Sequence, residues 1–484
     1  MPSTADLARK RSPSDSRPLL EGPIVASLLR IAIPVVFANI LQSGYQLTDA
    51  FWVGRLGGNA VAAVAVSFPL TFLLIAIGAG LAIAGSTLVA QYVGAGDLRM
   101  VNHVAAQTLL LVAVTSIVLG GIGYVLAPGV LHLMGVAPEV FDGALQFMRV
   151  SFVGLVFVFG FVMIQALLRG VGEVTSPMLI VLGTVILNFL LDPLFIFGWG
   201  PFPAAGVAGA AVATLSTQTL AAFIGLALLG SGKYGIHVHV RDFRPDPAFM
   251  KRAFLLGFPA SIEQSTRALG MTVMTFLIAS FGTVTVAAYG MGINVLSFVI
   301  IPAMGLSMAT STLVGQNIGA GQIERADAIA RLSAIVSFVS LSAMGALVFV
   351  GATPLIAFFV PADAPVIAAG ATFLRVVAPS FGFMGVQLAL TGVFRAAGNM
   401  VVAMTLALVS QWVLQFPLAY ILSVHTSLGP RGLWWAFPVS NVIVAVVAVA
   451  WFLKGDWKTT RLTDNDRLTA AVSDEILLEE GVHS

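Results

Sequence analysis

Long apolar blocks separated by short polar breaks make up most of this chain. Twelve blocks lie at about 28–53, 60–93, 104–127, 141–168, 177–198, 205–229, 254–281, 285–315, 328–350, 371–394, 401–422 and 432–453, each near the ~20 residues a helix needs to cross a bilayer. The pattern predicts an all-α polytopic membrane protein of twelve transmembrane helices. A polar stretch separates the sixth block from the seventh, and polar tails flank the set. The expected organisation is a disordered cytoplasmic tail (1–26), an N-terminal six-helix lobe (27–229), a basic cytoplasmic linker (230–253), a C-terminal six-helix lobe (254–455) and a cytoplasmic C-terminal tail (456–484).

Composition sharpens this picture. Of 484 residues, 58% are hydrophobic and 10% are charged, against about 25% charged in a soluble domain. The first 26 residues have no apolar core with a cleavage site, so no removable signal peptide is expected. Cysteine is absent, which excludes disulfides, thiolate catalysis and cysteine metal sites. Eighteen of the 24 Lys and Arg fall in the tails and in loops on one side, and two, Arg55 and Arg431, on the other. That bias predicts both termini in the cytoplasm. The net charge of +2 therefore reflects topology, and no nucleic-acid partner is implied.

The two halves are copies of one unit. Ser86-Thr-Leu-Val-Ala-Gln-Tyr-Val-Gly-Ala-Gly-Asp97 recurs as Ser311-Thr-Leu-Val-Gly-Gln-Asn-Ile-Gly-Ala-Gly-Gln322, 225 positions later. The same offset pairs Pro34 with Pro259. An offset of 226 pairs Arg169-Gly-Val-Gly172 with Arg395-Ala-Ala-Gly398. Six helices per copy is an even number, so the copies enter the membrane from the same side and a pseudo-two-fold runs along its normal. Such a pair of lobes suits a secondary transporter whose central cavity opens alternately to each side. No Walker-type phosphate loop and no large soluble domain is present, so an ion gradient is the expected energy source and no cofactor is called for.

The repeated small-residue signature, the run Gln46-Leu-Thr-Asp49-Ala-Phe-Trp-Val-Gly-Arg-Leu-Gly57, Leu168-Arg-Gly-Val-Gly172 and Leu187-Asn-Phe-Leu-Leu-Asp192-Pro193 together resemble the multidrug and toxic-compound extrusion (MATE) family. The likeness covers about residues 24–455. It implies efflux of small organic compounds, amphipathic and often cationic, in exchange for H⁺ or Na⁺. It also implies a monomer in the inner membrane of a prokaryotic cell, with the lipid bilayer and the substrates as its partners.

Three acids, Asp49, Asp192 and Glu263, stand well inside predicted spans. A charged group at that depth costs about 2.5–3.5 kcal/mol on insertion scales. The repeat tests each of them. Asp49 pairs with Met274 and Asp192 with Phe416, so neither acid is required by the shared fold. Asn39, Gln42, Gln46 and Asp49 are spaced by three and four, as are Thr184, Asn188 and Asp192, so each set makes a polar stripe on one helix face. If the stripes face each other, Asp49, Asn188 and Asp192 join Thr214 of the sixth helix in an oxygen-rich pocket. Two carboxylates in a poorly solvated place favour a bound proton, and the same oxygens suit Na⁺. Resemblance to the DinF-like branch of the family points to these four positions as the coupling site and leaves the ion open. A structural polar cluster that ties helices together is the competing reading.

Pro34 lies fifteen residues before Asp49 and allows a kink, which makes it a candidate hinge, although its twin Pro259 makes the kink a feature of the repeat. Glu263 stands four residues before Arg267, the favoured order for an intrahelical ion pair. Met271, Met274 and Met291, with Gln42, Gln46, Gln387 and Gln411, are candidates for the substrate cavity, since flexible Met repacks around varied ligands. Arg169 and Arg395 are expected in cytoplasmic turns against lipid headgroups. A lipid-linked precursor flippase shares the two-lobed plan, but such a cavity calls for several basic residues, and Arg267 is the only one well inside a span. An intramembrane zinc enzyme lacks its His-Glu-x-x-His motif, so no catalytic residue and no metal site are expected.

Overall fold

The computed structural model describes residues 17–199, 203–361 and 363–464. The N-terminal six helices are α1 (Ile24–Gly54), α2 (Gly58–Ala95), α3 (Leu98–Leu133), α4 (Pro138–Gly170), α5 (Thr175–Phe197) and α6 (Gly206–Gly230). The second six are α7 (Pro247–Ala279), α8 (Thr283–Gly319), α9 (Ile323–Val350), α10 (Ala364–Ala396), α11 (Met400–Val424) and α12 (Pro430–Lys454). Among the described residues there is no strand. Eleven of these helices are long and apolar enough to cross a membrane. The other, α7, has the length but carries Lys251, Arg252, Glu263 and Arg267.

Helices run past the expected blocks, as α3 does at both ends, because an apolar run marks hydrocarbon thickness and the helix continues into the polar interface. Glycines then stop them. Gly96 and its twin Gly321 adopt φ of +77° and +74°, a left-handed conformation that other residues take only at a cost. That explains why the Gly-Ala-Gly motif occurs twice. Asp97 caps α3 by accepting from the Met100 N–H at 3.0 Å.

The lobes interlock at the end that bears both tails. Leu28 and Ile31 of α1 pack into the second lobe's core beside Leu313, Val314 and Phe394. Phe249 and Ala253 of α7 pack into the first lobe's core beside Val101 and Leu88. Each lobe thus lends the start of its first helix to the other. Twin glutamines tie the same end: Gln91 donates to the Ala396 carbonyl at 2.7 Å and Gln316 to the Gly170 carbonyl at 2.9 Å. Gly94 lies against Gln316 and Gly319 against Gln91, so close that a Cβ at either would collide with backbone. Small residues permit such helix contact in lipid.

The tails close over this seal. Arg17–Glu21 is helical and Leu19, 2% exposed, covers Gly172. Leu462 covers the twin Gly398, and its N–H donates to Gln91 at 2.8 Å. Ordered chain therefore begins before the expected boundary at 27 and continues past 455, because Leu19 and Trp457 are buried and Leu462 is partly so. Residues 1–16 and 465–484 of the expected tails lie outside the described residues. Further hydrogen bonds across the lobes, from Thr87 to Arg395 and from Ser261 to Ile77, come from the same half of the bundle.

Replacing Gly319 with Leu should pry the lobes apart at the tail-bearing end. Spin labels on cysteines placed at the exposed twins Arg99 and Glu324 of this cysteine-free chain measure it. A longer label distance is the expected result, and an unchanged distance in a correctly inserted variant contradicts the seal.

Candidate functional site

The stripe on α1 and the stripe on α5 do meet. Asn188 sits between two carboxylates, its amide donating to Asp49 Oδ1 at 2.6 Å and to Asp192 Oδ2 at 3.0 Å. Thr214 of α6 donates to the other oxygen of Asp49 at 3.4 Å. Asn188 and Asp192 are 0% exposed. No Lys or Arg lies within ion-pair distance of either acid among the described residues. Two acceptors, Asp192 Oδ1 and Asn188 Oδ1, are buried with no partner.

A second layer supports the pocket. Tyr45, one turn before Asp49 and 3% exposed, shares a 2.6 Å hydrogen bond with Thr217, whose hydroxyl also reaches the Thr214 carbonyl at 2.9 Å. Sequence reasoning missed both residues, although Tyr45 lies four before Asp49 on the stripe already marked and Thr217 lies three after Thr214, on the same face of α6. Two unscreened carboxylates inside a bundle are costly unless something positive neutralises them. A proton or a small cation at these oxygens would do so.

The second lobe has the opposite balance. Glu263 is 0% exposed and accepts from Arg267 Nη2 at 3.0 Å. It also accepts from Arg395 Nε at 3.2 Å and Nη2 at 2.5 Å. The fork of Arg395 on one carboxylate is the strong geometry for such a pair. Arg395 is therefore no headgroup contact: it is 8% exposed, at the last turn of α10. Its twin Arg169 lines a small cavity of about 30 Å³ with Asn39, Gln165 and Glu173. Sequence spacing finds an i,i+4 partner and cannot find one on another helix.

Other candidates are scattered. Met274 lies in the second lobe's core with Ile278 and Tyr289, 1% exposed, and so is not a cavity wall. Met291 packs against the same core. Met271 is half exposed, Gln42 and Gln46 are exposed, and Gln387 is buried. Gln411, in a π-helical turn of α11 at Val409–Gln415, packs on Gly270. Pro34 lies within an uninterrupted α1. Arg149 stacks over Tyr124 at 4.9 Å and Arg375 donates to Thr353 at 3.1 Å.

A model of the MatE family matches residues 34–194 and again 259–421, the two stretches starting on the twin prolines. The chain belongs to the MatE family. It is 29% identical over 446 residues to a probable multidrug resistance protein, YpnP, of Bacillus subtilis, covering 91% of this chain and 98% of that one. It is 27% identical over 434 residues to an FAD transporter of Shewanella oneidensis, covering 89% and 95%. A solved MATE multidrug resistance transporter in its outward-facing conformation superimposes with a TM-score of 0.82 at 26% identity, covering 90% of this chain and 97% of that one. This MatE chain is thus a multi-pass membrane transporter of the multidrug efflux family, and the twelve-helix, two-lobed architecture is that of its relatives.

Replacing Glu263 with Gln leaves two arginines without their carboxylate. Breaking a buried pair on one side costs about 3–5 kcal/mol. The variant should unfold at a clearly lower temperature in detergent, with part of the loss recovered by Arg395→Gln in the same chain. An unchanged melting temperature contradicts a buried, paired Glu263.

Proposed function

We propose that this MatE chain is an antiporter that exports amphipathic organic compounds in exchange for H⁺ or Na⁺. It works as a monomer in a prokaryotic inner membrane, with both termini in the cytoplasm. The observation that carries the reading is the shared Asn188 amide between Asp49 and Asp192, with two buried oxygens left over and no protein cation beside them. An ion that reaches the pocket satisfies those oxygens. It neutralises Asp49 on α1, the helix that also lends its start to the other lobe.

The exchange follows from that connection. With the ion bound, α1, α5 and α6 are drawn together through Asp49, Asn188, Asp192 and Thr214, and the first lobe closes on itself. Cargo is released outward. Opening to the cytoplasm requires the seal at Gln91, Gln316, Gly94 and Gly319 to part, and Pro34, between the seal and Asp49, is the place where α1 bends. Ion release inward restores the two unneutralised carboxylates and resets the cycle. The charge bias of the loops supports the orientation.

Asp49→Asn should abolish gradient-driven efflux by purified protein in liposomes while leaving insertion and folding intact. The assay imposes pH and Na⁺ gradients separately and follows a fluorescent amphipathic dye. Transport equal to that of the parent chain would sink the coupling proposal.

A further inference from the structure

Twin residues of the repeat meet different surroundings in the two lobes, and one pair of arginines shows it on the flank of the bundle. Arg375 of α10 donates to Thr353, on the short helix Ala352–Phe359 that follows α9, at 3.1 Å. Its twin Arg149 of α4 has no such acceptor, because the offset of 225 that relates α9 to α3 sets Pro128 where Thr353 stands. Proline offers no hydroxyl. Arg149 rests instead on the Tyr124 ring at 4.9 Å, and its buried Nε has no partner. Glu139 and Asp142, near the start of α4, form no ion pair with it within 4.0 Å among the described residues.

A groove of about 440 Å³ runs along α3 and α4 from this arginine. Ile117, Gly121, Tyr124 and Val125 line one wall, and Val153 and Val156 the other. Their spacing makes one stripe on each helix, and Arg149 extends the α4 stripe by a further turn. Gly121 opens the space, since a Cβ there would meet nothing within 4 Å, whereas one on Gly120 would strike the Phe152 carbonyl. The chain turns between α3 and α4 at the end away from the tails, so Arg149 marks the groove's end nearer that membrane surface. Helix α4 has 33 residues, about 50 Å at the helical rise, against a hydrocarbon core of about 30 Å. Arg149, about 16 Å along it, is thus within reach of the headgroups for a long side chain that snorkels.

We propose that this groove binds an anionic phospholipid of the leaflet away from the tails, with one acyl chain between α3 and α4 and the phosphate on Arg149. Charge complementarity selects this occupant. Exposed Ile117, Val125 and Val153 offer the acyl chain an apolar bed, and the arginine that lacks a protein acceptor takes one from the headgroup. A guanidinium matches a phosphate with planar, paired donors. A zwitterionic lipid fills the groove with the same chains, but its own ammonium offsets its phosphate. The site is made by α3 and α4 alone, apart from the pocket of Asp49, Asn188, Asp192 and Thr214 on α1, α5 and α6.

Native mass spectrometry of the full, delipidated chain in a neutral detergent gives the first binding constant for phosphatidylglycerol and for phosphatidylcholine with the same acyl chains. The anionic lipid should bind about fivefold tighter, the factor that one arginine near an anionic headgroup supplies. Arg149→Gln should bring phosphatidylglycerol down to the phosphatidylcholine value, and Arg375→Gln should leave the preference as it is. Gly121→Leu, placed where a Cβ has room, fills the groove and should weaken both lipids. It tests the site even if Arg149→Gln folds poorly. Equal affinity for the two lipids, a preference that survives Arg149→Gln or vanishes with Arg375→Gln, unchanged binding in Gly121→Leu, or displacement of the lipid by inorganic phosphate overturns the proposal.

Discussion

A carboxylate that has left water must find a positive partner or lose its charge, and in this chain two of them share a single neutral amide. Asp49 and Asp192 approach from different helices, and Asn188 satisfies one oxygen of each. The rest of the first lobe is built around that deficit. Tyr45 and Thr217 hold Thr214 in place, and the small residues of α6 let it lie close to α5, where Gly209 touches the backbone at Phe195. An arrangement with a built-in Arg would be more stable and could not respond to an ion.

The second lobe solves the same problem differently. Its one deep acid is fully paired, by two arginines from two helices, so Glu263 has no capacity left for a coupling ion. The repeat supplied both lobes with the same scaffold and the same seal, in which Gln91 and Gln316 do equivalent work. Divergence then left the unpaired acids in one lobe and a fully paired acid in the other. Helix α1 links the lobes, because it bears Asp49 in one and packs by Leu28 and Ile31 against the other.

The fold was largely legible from the chain, since blocks near 20 apolar residues and a 225-residue repeat leave few alternatives. Even α7, too charged to pass on composition, is marked by its twin proline and its apolar run. The helix ends were not legible, nor was the short helix Ala352–Phe359, because hydropathy stops at the interface and backbone hydrogen bonding does not. Asp49, Asn188, Asp192 and Thr214 could be picked out because helical spacing and the missing acidic twins set them apart. Arg395 was misread as a surface turn residue, since its meeting with Glu263 depends on how α10 ends beside α7. Tyr45 lies on the marked stripe, four before Asp49, but its spacing says nothing about the threonine it meets on another helix.

The central claim is that the Asp49 and Asp192 pair holds the ion that cargo displaces, and equilibrium linkage tests it most directly. Calorimetric titration of purified protein with an amphipathic cargo, in two buffers of different ionisation enthalpy and with or without Na⁺, counts the protons or Na⁺ released on binding. Binding and ion release must then be reciprocal. The account predicts release of protons, or weakening of cargo binding by Na⁺, in the parent chain, and loss of that linkage in Asp192→Asn. Cargo affinity indifferent to both pH and Na⁺, or linkage that persists without Asp192, would contradict it.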